Sequence, residues 1–167
     1  MTDVDDLWRA ALQLSGGTDP GEAFTSLGLR LDHPPARFDT FCTPLNSLTF
    51  ASTAVDGVHF GLLQTGGPSQ PVVMTVPMND VNNFVIAASL DEFLGLGYYV
   101  GWQPLDGIAY HPETVEAYFA QPDAEQWPEE AELLQKLRDA LSLKYWPLVL
   151  SRVRELDETY RAVLQLP

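Results

Sequence analysis

Residues 48–63, Leu-Thr-Phe-Ala-Ser-Thr-Ala-Val-Asp-Gly-Val-His-Phe-Gly-Leu-Leu, set apolar against polar positions with a period near two, and Asp56-Gly57 breaks the pattern with a strong turn signal. The stretch predicts two strands joined as a hairpin. With Val55, Asp56 and Gly57 as a three-residue loop, Leu48 and Phe50 share a face with Val58, Phe60 and Leu62. A two-residue loop puts Phe50 opposite Leu63 and scatters the large apolar groups over both faces. Side chains alternate strictly along a strand, so the apolar pattern selects the longer loop. Gly57 is then expected in the left-handed conformation, and His59 on the face opposite Phe60, beside Thr53 or Ala51.

The pattern on either side completes an α+β chain. Residues 2–14 predict an amphipathic helix with Leu7, Trp8, Ala11 and Leu12 inward and Asp3, Asp5 and Asp6 at its amino end. Asp19-Pro20 predicts a second helix with Phe24 and Leu27 inward and Gly28 as its stop. His33-Pro34-Pro35 reads as an extended connector, and residues 38–42 as a short strand leading into the hairpin. Residues 72–76 and 84–88 are two more strands. Four consecutive strands with short connections imply a mainly antiparallel meander. Ser89 and Glu92 have the spacing of a capping box for a helix carrying Leu90, Phe93 and Leu94, ended by Gly95 or Gly97. The rest reads as helical: residues 111–119, a helix from Pro128 with Leu133, Leu134, Leu137 and Leu141, and a last one started or kinked by Pro147 with Val149, Val153, Leu156, Tyr160 and Val163 on one stripe. Gln121-Pro122-Asp123 reads as a loop. No repeat or domain boundary interrupts the chain, which is expected to be one domain over residues 1–167.

Composition narrows the class. The 167 residues are 46% hydrophobic with four Trp, enough for a sizeable core. The acidic amino terminus is unlike a signal peptide, and no apolar run reaches the length of a membrane span. A single cysteine, Cys42, rules out an internal disulfide framework and points to a reducing cytoplasm. Charge changes the picture most. The net charge is −14, and no Lys or Arg occurs between Arg37 and Lys136. Such a field repels nucleic acid and anionic membrane and speeds association with basic partners.

Candidate chemistry is sparse. Ser52, Asp56 and His59 offer triad residue types, but Asp56 belongs to the turn and Ser52 lacks a strand-to-helix nucleophile elbow. His33, His59 and His111 are far apart and form no paired ligand motif, so no metal or cofactor is expected. Cys42 has the usual role of a buried apolar thiol. Gly66-Gly67 lacks the lysine and the following helix of a phosphate loop. The stretch Tyr98-Tyr99-Val100-Gly101-Trp102, followed by Asp106, Tyr110 and His111, combines interface-type aromatics with acids. A binding role there requires at least two of the aromatics exposed beside carboxylates.

Residues 50–60, Phe-Ala-Ser-Thr-Ala-Val-Asp-Gly-Val-His-Phe, resemble the "FAxTGxDGxHF" strand-turn-strand of the SUKH superfamily of bacterial toxin-immunity proteins, with Ala54 where a glycine is usual. Residues 85–94, Val-Ile-Ala-Ala-Ser-Leu-Asp-Glu-Phe-Leu, are similar to that family's strand followed by a Ser-x-x-Glu-Phe-Leu helix. Together the resemblance spans about residues 48–96. It implies a central antiparallel sheet wrapped by helices, and a non-enzymatic cytoplasmic protein that neutralises a toxin domain by occlusion. For a basic toxin, such as a nuclease, carboxylates would stand in for nucleic-acid phosphates. Asp56, Asp80 and Asp106 are the expected acidic contacts, with Tyr98, Tyr99 and Trp102 as apolar anchors. The alternative is a regulatory or scaffold domain with an endogenous protein partner. A catalytic role would call for a deep pocket where His59 meets a buried carboxylate.

Overall fold

In the computed structural model, which describes residues 1–121 and 126–167, five strands adjoin in chain order, every neighbouring pair antiparallel. They are β1 (Arg30–Ala36), β2 (Ser47–Ser52), β3 (His59–Leu63), β4 (Val72–Thr75) and β5 (Asn83–Ala87). The expected α+β meander is therefore the fold. Its first strand falls on the residues read as a proline connector, whereas residues 38–42 form turns and bends rather than a strand. Pro34 and Pro35 are tolerated because β1 is an edge strand, where a missing N–H need not break a ladder.

The hairpin turns on four residues, 54–57, closed by the Thr53 N–H donating to the Val58 carbonyl at 3.0 Å. This corrects the three-residue loop. Near the turn Ser52 pairs with His59 and Ala51 with Phe60; farther along, Thr49 pairs with Gly61 and Leu48 with Leu62. Phe50 is thus the extra residue of a β-bulge. The bulge offsets the change of loop length and keeps Phe50 on the face of Phe60. Both rings reach Phe93 on α2 (Leu90–Leu96), at centroid distances of 5.4 and 4.9 Å.

Helices cover that face. α1 (Val4–Leu14) starts two residues later than the apolar stripe implies, because Asp3 is its N-cap: Asp3 Oδ1 accepts from Asp6 N at 2.8 Å, and Asp6 Oδ2 from Asp3 N at 3.0 Å. Leu7, Ala10 and Ala11 are buried, whereas Leu12 faces solvent. The Asp19-Pro20 segment forms two 3₁₀ turns, Pro20–Glu22 and Thr25–Leu27, in place of an α-helix, and Gly28 ends them at φ 82°. Ser89 caps α2 as expected, accepting from Glu92 N at 3.2 Å. The Glu92 carboxylate turns instead to the Ala88 amide (2.7 Å) and to Arg152 (3.3 Å). Beyond α2 lie α3 (Gly107–Tyr110), α4 (Val115–Phe119), α5 (Pro128–Leu141) and α6 (Leu150–Tyr160). α6 begins after Pro147, with Val149 as its cap, and runs along β5. Pro122 and Asp123 of the expected loop lie outside the described residues.

The opposite face of the sheet is also buried, and it is largely polar. Strand pairing places Ser47, Thr49, His59, Gly61 and Thr75 there with Leu63, Val73 and Val85. Residues 37–46 strap this face. Asn83 Nδ2 donates to the Cys42 carbonyl at 3.0 Å, and Leu45 N to the Gln165 carbonyl at 2.6 Å. Cys42 is buried, as expected.

Candidate partner-binding surface

The β2–β3 and β4–β5 loops lie at one end of the sheet and touch: a Cβ on Gly57 would sit 3.4 Å from Pro77. This end carries Asp56, exposed in the first loop, and Asp80, exposed in the second. Asp106 closes a 3₁₀ turn, Gln103–Asp106, that leads straight into α3. It lies within reach of the Asp56 charge. Burial raises the pKa of Asp106, the Gly107 amide and His111 pull it back, and Asp56 adds a further upward push. Desolvation raises the pKa of Tyr110, and the same two carboxylates push it further up. Asp56, Asp80 and Asp106 belong to no ion pair among the described residues.

The aromatics expected as anchors are distributed differently. Trp102 is fully buried, its Nε1 donating to the Phe93 carbonyl at 3.0 Å and its ring 6.3 Å from that of Phe93. It has no surface to offer a partner, which corrects its placement as an anchor; the cause is the close approach of residues 101–103 to the Leu27-Gly28 turn. Tyr98 and Tyr99 are half-buried and packed edge-on, 5.1 Å apart, with Tyr145 against both. The charge beside Tyr98 is a cation: the Arg138 guanidinium lies 4.9 Å from the ring centroid and donates to the Tyr98 carbonyl. Tyr98 and Tyr99 thus form a patch with residues of the α5–α6 region. The aromatics at the acidic end are Tyr110 and Tyr118, both exposed. Tyr118 escaped the sequence reading because α4 is too short for its amphipathic pattern to stand out; its one clear signal is the neighbouring buried Phe119.

His59 faces away from Phe60, as expected, but it pairs with Ser52 and Thr75 rather than lying beside Thr53 or Ala51, and it is 1% exposed. Its Nδ1 lies 2.7 Å from the Gly57 carbonyl and its Nε2 3.0 Å from Thr43 Oγ1. A carbonyl only accepts, so these partners assign the proton to Nδ1, and Thr43 donates to Nε2. Thr40 is in turn 2.6 Å from Thr43, and the Phe38 ring leans on the imidazole at 4.8 Å. Burial pushes the His59 pKa down, against the Gly57 carbonyl and the Asp32 charge. With both nitrogens engaged, the imidazole pins the strap and bonds neither Ser52 nor Asp56. Among the described residues no group of three His, Cys, Asp or Glu side chains could hold a metal ion, and no helix is long and apolar enough to cross a membrane.

What fold and surface define is an α+β protein whose sheet presents unpaired carboxylates at one end. No family model, no curated protein and no solved structure matches the chain.

Proposed function

We propose that this protein is a non-enzymatic, immunity-type binding protein that occludes a basic bacterial toxin domain, such as a nuclease. The observation that carries the reading is the acidic end of the sheet. Asp56, Asp80 and Asp106 stand there without ion-pair partners, within a stretch of sequence that has no Lys or Arg from 38 to 135. Unpaired carboxylates on loops held by a rigid sheet complement a basic cleft at little ordering cost. The resemblance of residues 48–96 to the SUKH superfamily supports the same reading. The imidazole best placed for acid–base work, His59, is engaged at both nitrogens in holding the strap.

The experiment is co-expression with the product of any toxin-like reading frame adjacent to this one. Protection of the host and co-purification with nanomolar affinity are expected. A toxin left fully active, with no complex formed, overturns the proposal. A partner that is not a toxin and is encoded elsewhere favours a regulatory scaffold instead.

A further inference from the structure

We propose that the groove between the Gln103–Asp106 turn and α4 is a receptor for a single arginine side chain of the partner protein; this rests on the reading that the partner is basic. The groove has a volume of about 370 Å³ and is lined by Pro104, Asp106, His111, Thr114, Val115 and Tyr118, among others. That is at the small end of ligand pockets, roughly 300–1,000 Å³, and suits one long side chain rather than a folded element. Its wall is mainly apolar, with one carboxylate, Asp106.

The groove selects its occupant by charge. Asp106 is partly desolvated by its surroundings, and the charges that reach it are the Asp56 carboxylate and the His111 imidazole. It forms no salt bridge with a Lys or Arg among the described residues. An anion would meet the Asp106 carboxylate here, with the Asp56 charge adding to the repulsion from outside the groove. A cation would relieve both. Between the two cationic side chains the apolar wall discriminates. A guanidinium is weakly hydrated, donates through two parallel N–H groups to one carboxylate, and lies flat on an aromatic face such as that of Tyr118, while its methylenes cover Val115 and Pro104. An ammonium is a compact, strongly hydrated charge and loses more on entering. Arg138 on the Tyr98 ring shows the same pairing of guanidinium and tyrosine inside this protein.

The test uses Nα-acetyl-arginine amide as the probe and the backbone amide spectrum of the full chain as the readout. Saturable shifts are expected at Gly107, Thr114, Val115 and Tyr118. The uncharged isostere Nα-acetyl-citrulline amide should leave these resonances in place, and Nα-acetyl-lysine amide should bind at least several-fold more weakly. Asp106→Asn should weaken the arginine probe about tenfold, and Tyr118→Leu should erase its preference over lysine. Each variant is compared with the parent outside the groove to confirm the fold. Equal shifts from the arginine and citrulline probes, or an Asp106→Asn variant that binds arginine as the parent does, overturn the proposal. The two readings separate cleanly. A cognate toxin held as tightly by both variants as by the parent removes the arginine receptor and leaves the immunity function. An arginine probe that binds while no toxin is held does the reverse.

Discussion

Ala54 sits at φ 61°, a left-handed conformation in which an L side chain crowds the following carbonyl at a cost of about 1–2 kcal/mol. Its side chain is exposed, so nothing it packs against offsets that strain. Ala54→Gly is expected to stabilise the protein by about 1 kcal/mol, net of the extra entropy of the unfolded chain, and to raise the thermal midpoint by roughly 2–4 °C. An unchanged or lower midpoint in calorimetry would refute this. Gly57, at φ 70°, has only Pro77 nearby, so Gly57→Ala should cost roughly 1 kcal/mol of backbone strain. Gly28 is more demanding. At φ 82° a Cβ there would lie 2.1 Å from the Gln103 amide nitrogen, and backbone cannot yield as a side chain can. Gly28→Ala should cost roughly 3 kcal/mol or more, through strain and overpacking together. Denaturant midpoints for the two glycine variants in the reverse order would overturn the ranking. His59 adds a pH dependence. Its folded pKa lies below 6.5, so as pH falls the unfolded chain takes up the proton first. The stability its neutral ring contributes is complete above about pH 6.5 and is lost below it, until the folded pKa is reached. Asp32, Asp106 and Asp157, with pKa values raised by burial, act in the opposite sense at lower pH. An imidazole resonance of His59 that inflects at or above 6.5 would refute the assignment.

At the scale of elements, the outer edge of β5 is tied to α6 through one carboxylate. Asp157 on α6 accepts from the Val85 amide at 2.6 Å, which pairs an N–H that the sheet leaves free and fixes the helix along the strand. Burial raises the pKa of Asp157, while the Val85 N–H and the Arg161 charge pull it back. Asp157→Ala should cost about 1–3 kcal/mol by leaving Val85 unpaired, whereas Asp157→Asn, which still presents an oxygen, should stay within about 1 kcal/mol. Equal losses would show that charge rather than the hydrogen bond holds α6. Elements of this kind were legible in sequence only where the signal is local. Residues 48–63 reveal a hairpin with Phe50 and Phe60 on one face because alternation and Asp56-Gly57 are both short-range. The bulge at Phe50 is not, since it is fixed by what α2 brings to that face. Ser89 reads as a cap because Glu92 follows at the right spacing, but Glu92 departs to Arg152, sixty residues away. Pro34-Pro35 argues against a strand until the strand is known to be an edge.

The whole molecule shows why the candidate surface was only half legible. The charge gap from 38 to 135 is plain in the sequence, but it singles out no particular acid; Asp56, Asp80 and Asp106 were expected through the resemblance. The aromatics were harder, because burial is a property of the assembled fold: Trp102 closes the core, while Tyr110 and Tyr118 reach the acidic end. The burial of the polar second face was missed for the same reason: alternation puts His59 opposite Phe60, but only the assembled strap shows that Ser47, Thr49 and His59 are buried there. If the acidity acts on a partner, its place must matter as well as its sum. Asp56→Asn with Asp106→Asn, and Glu129→Gln with Glu130→Gln on α5, remove the same net charge from different places. At about 0.1 M salt the first pair should slow association with a basic partner about two- to tenfold and flatten its salt dependence, because a field then acts only within a Debye length of about 10 Å. The second pair should leave the on-rate close to that of the parent. Equal slowing by both pairs would mean that the partner senses only total charge, and the end of the sheet would lose its claim to be the docking site.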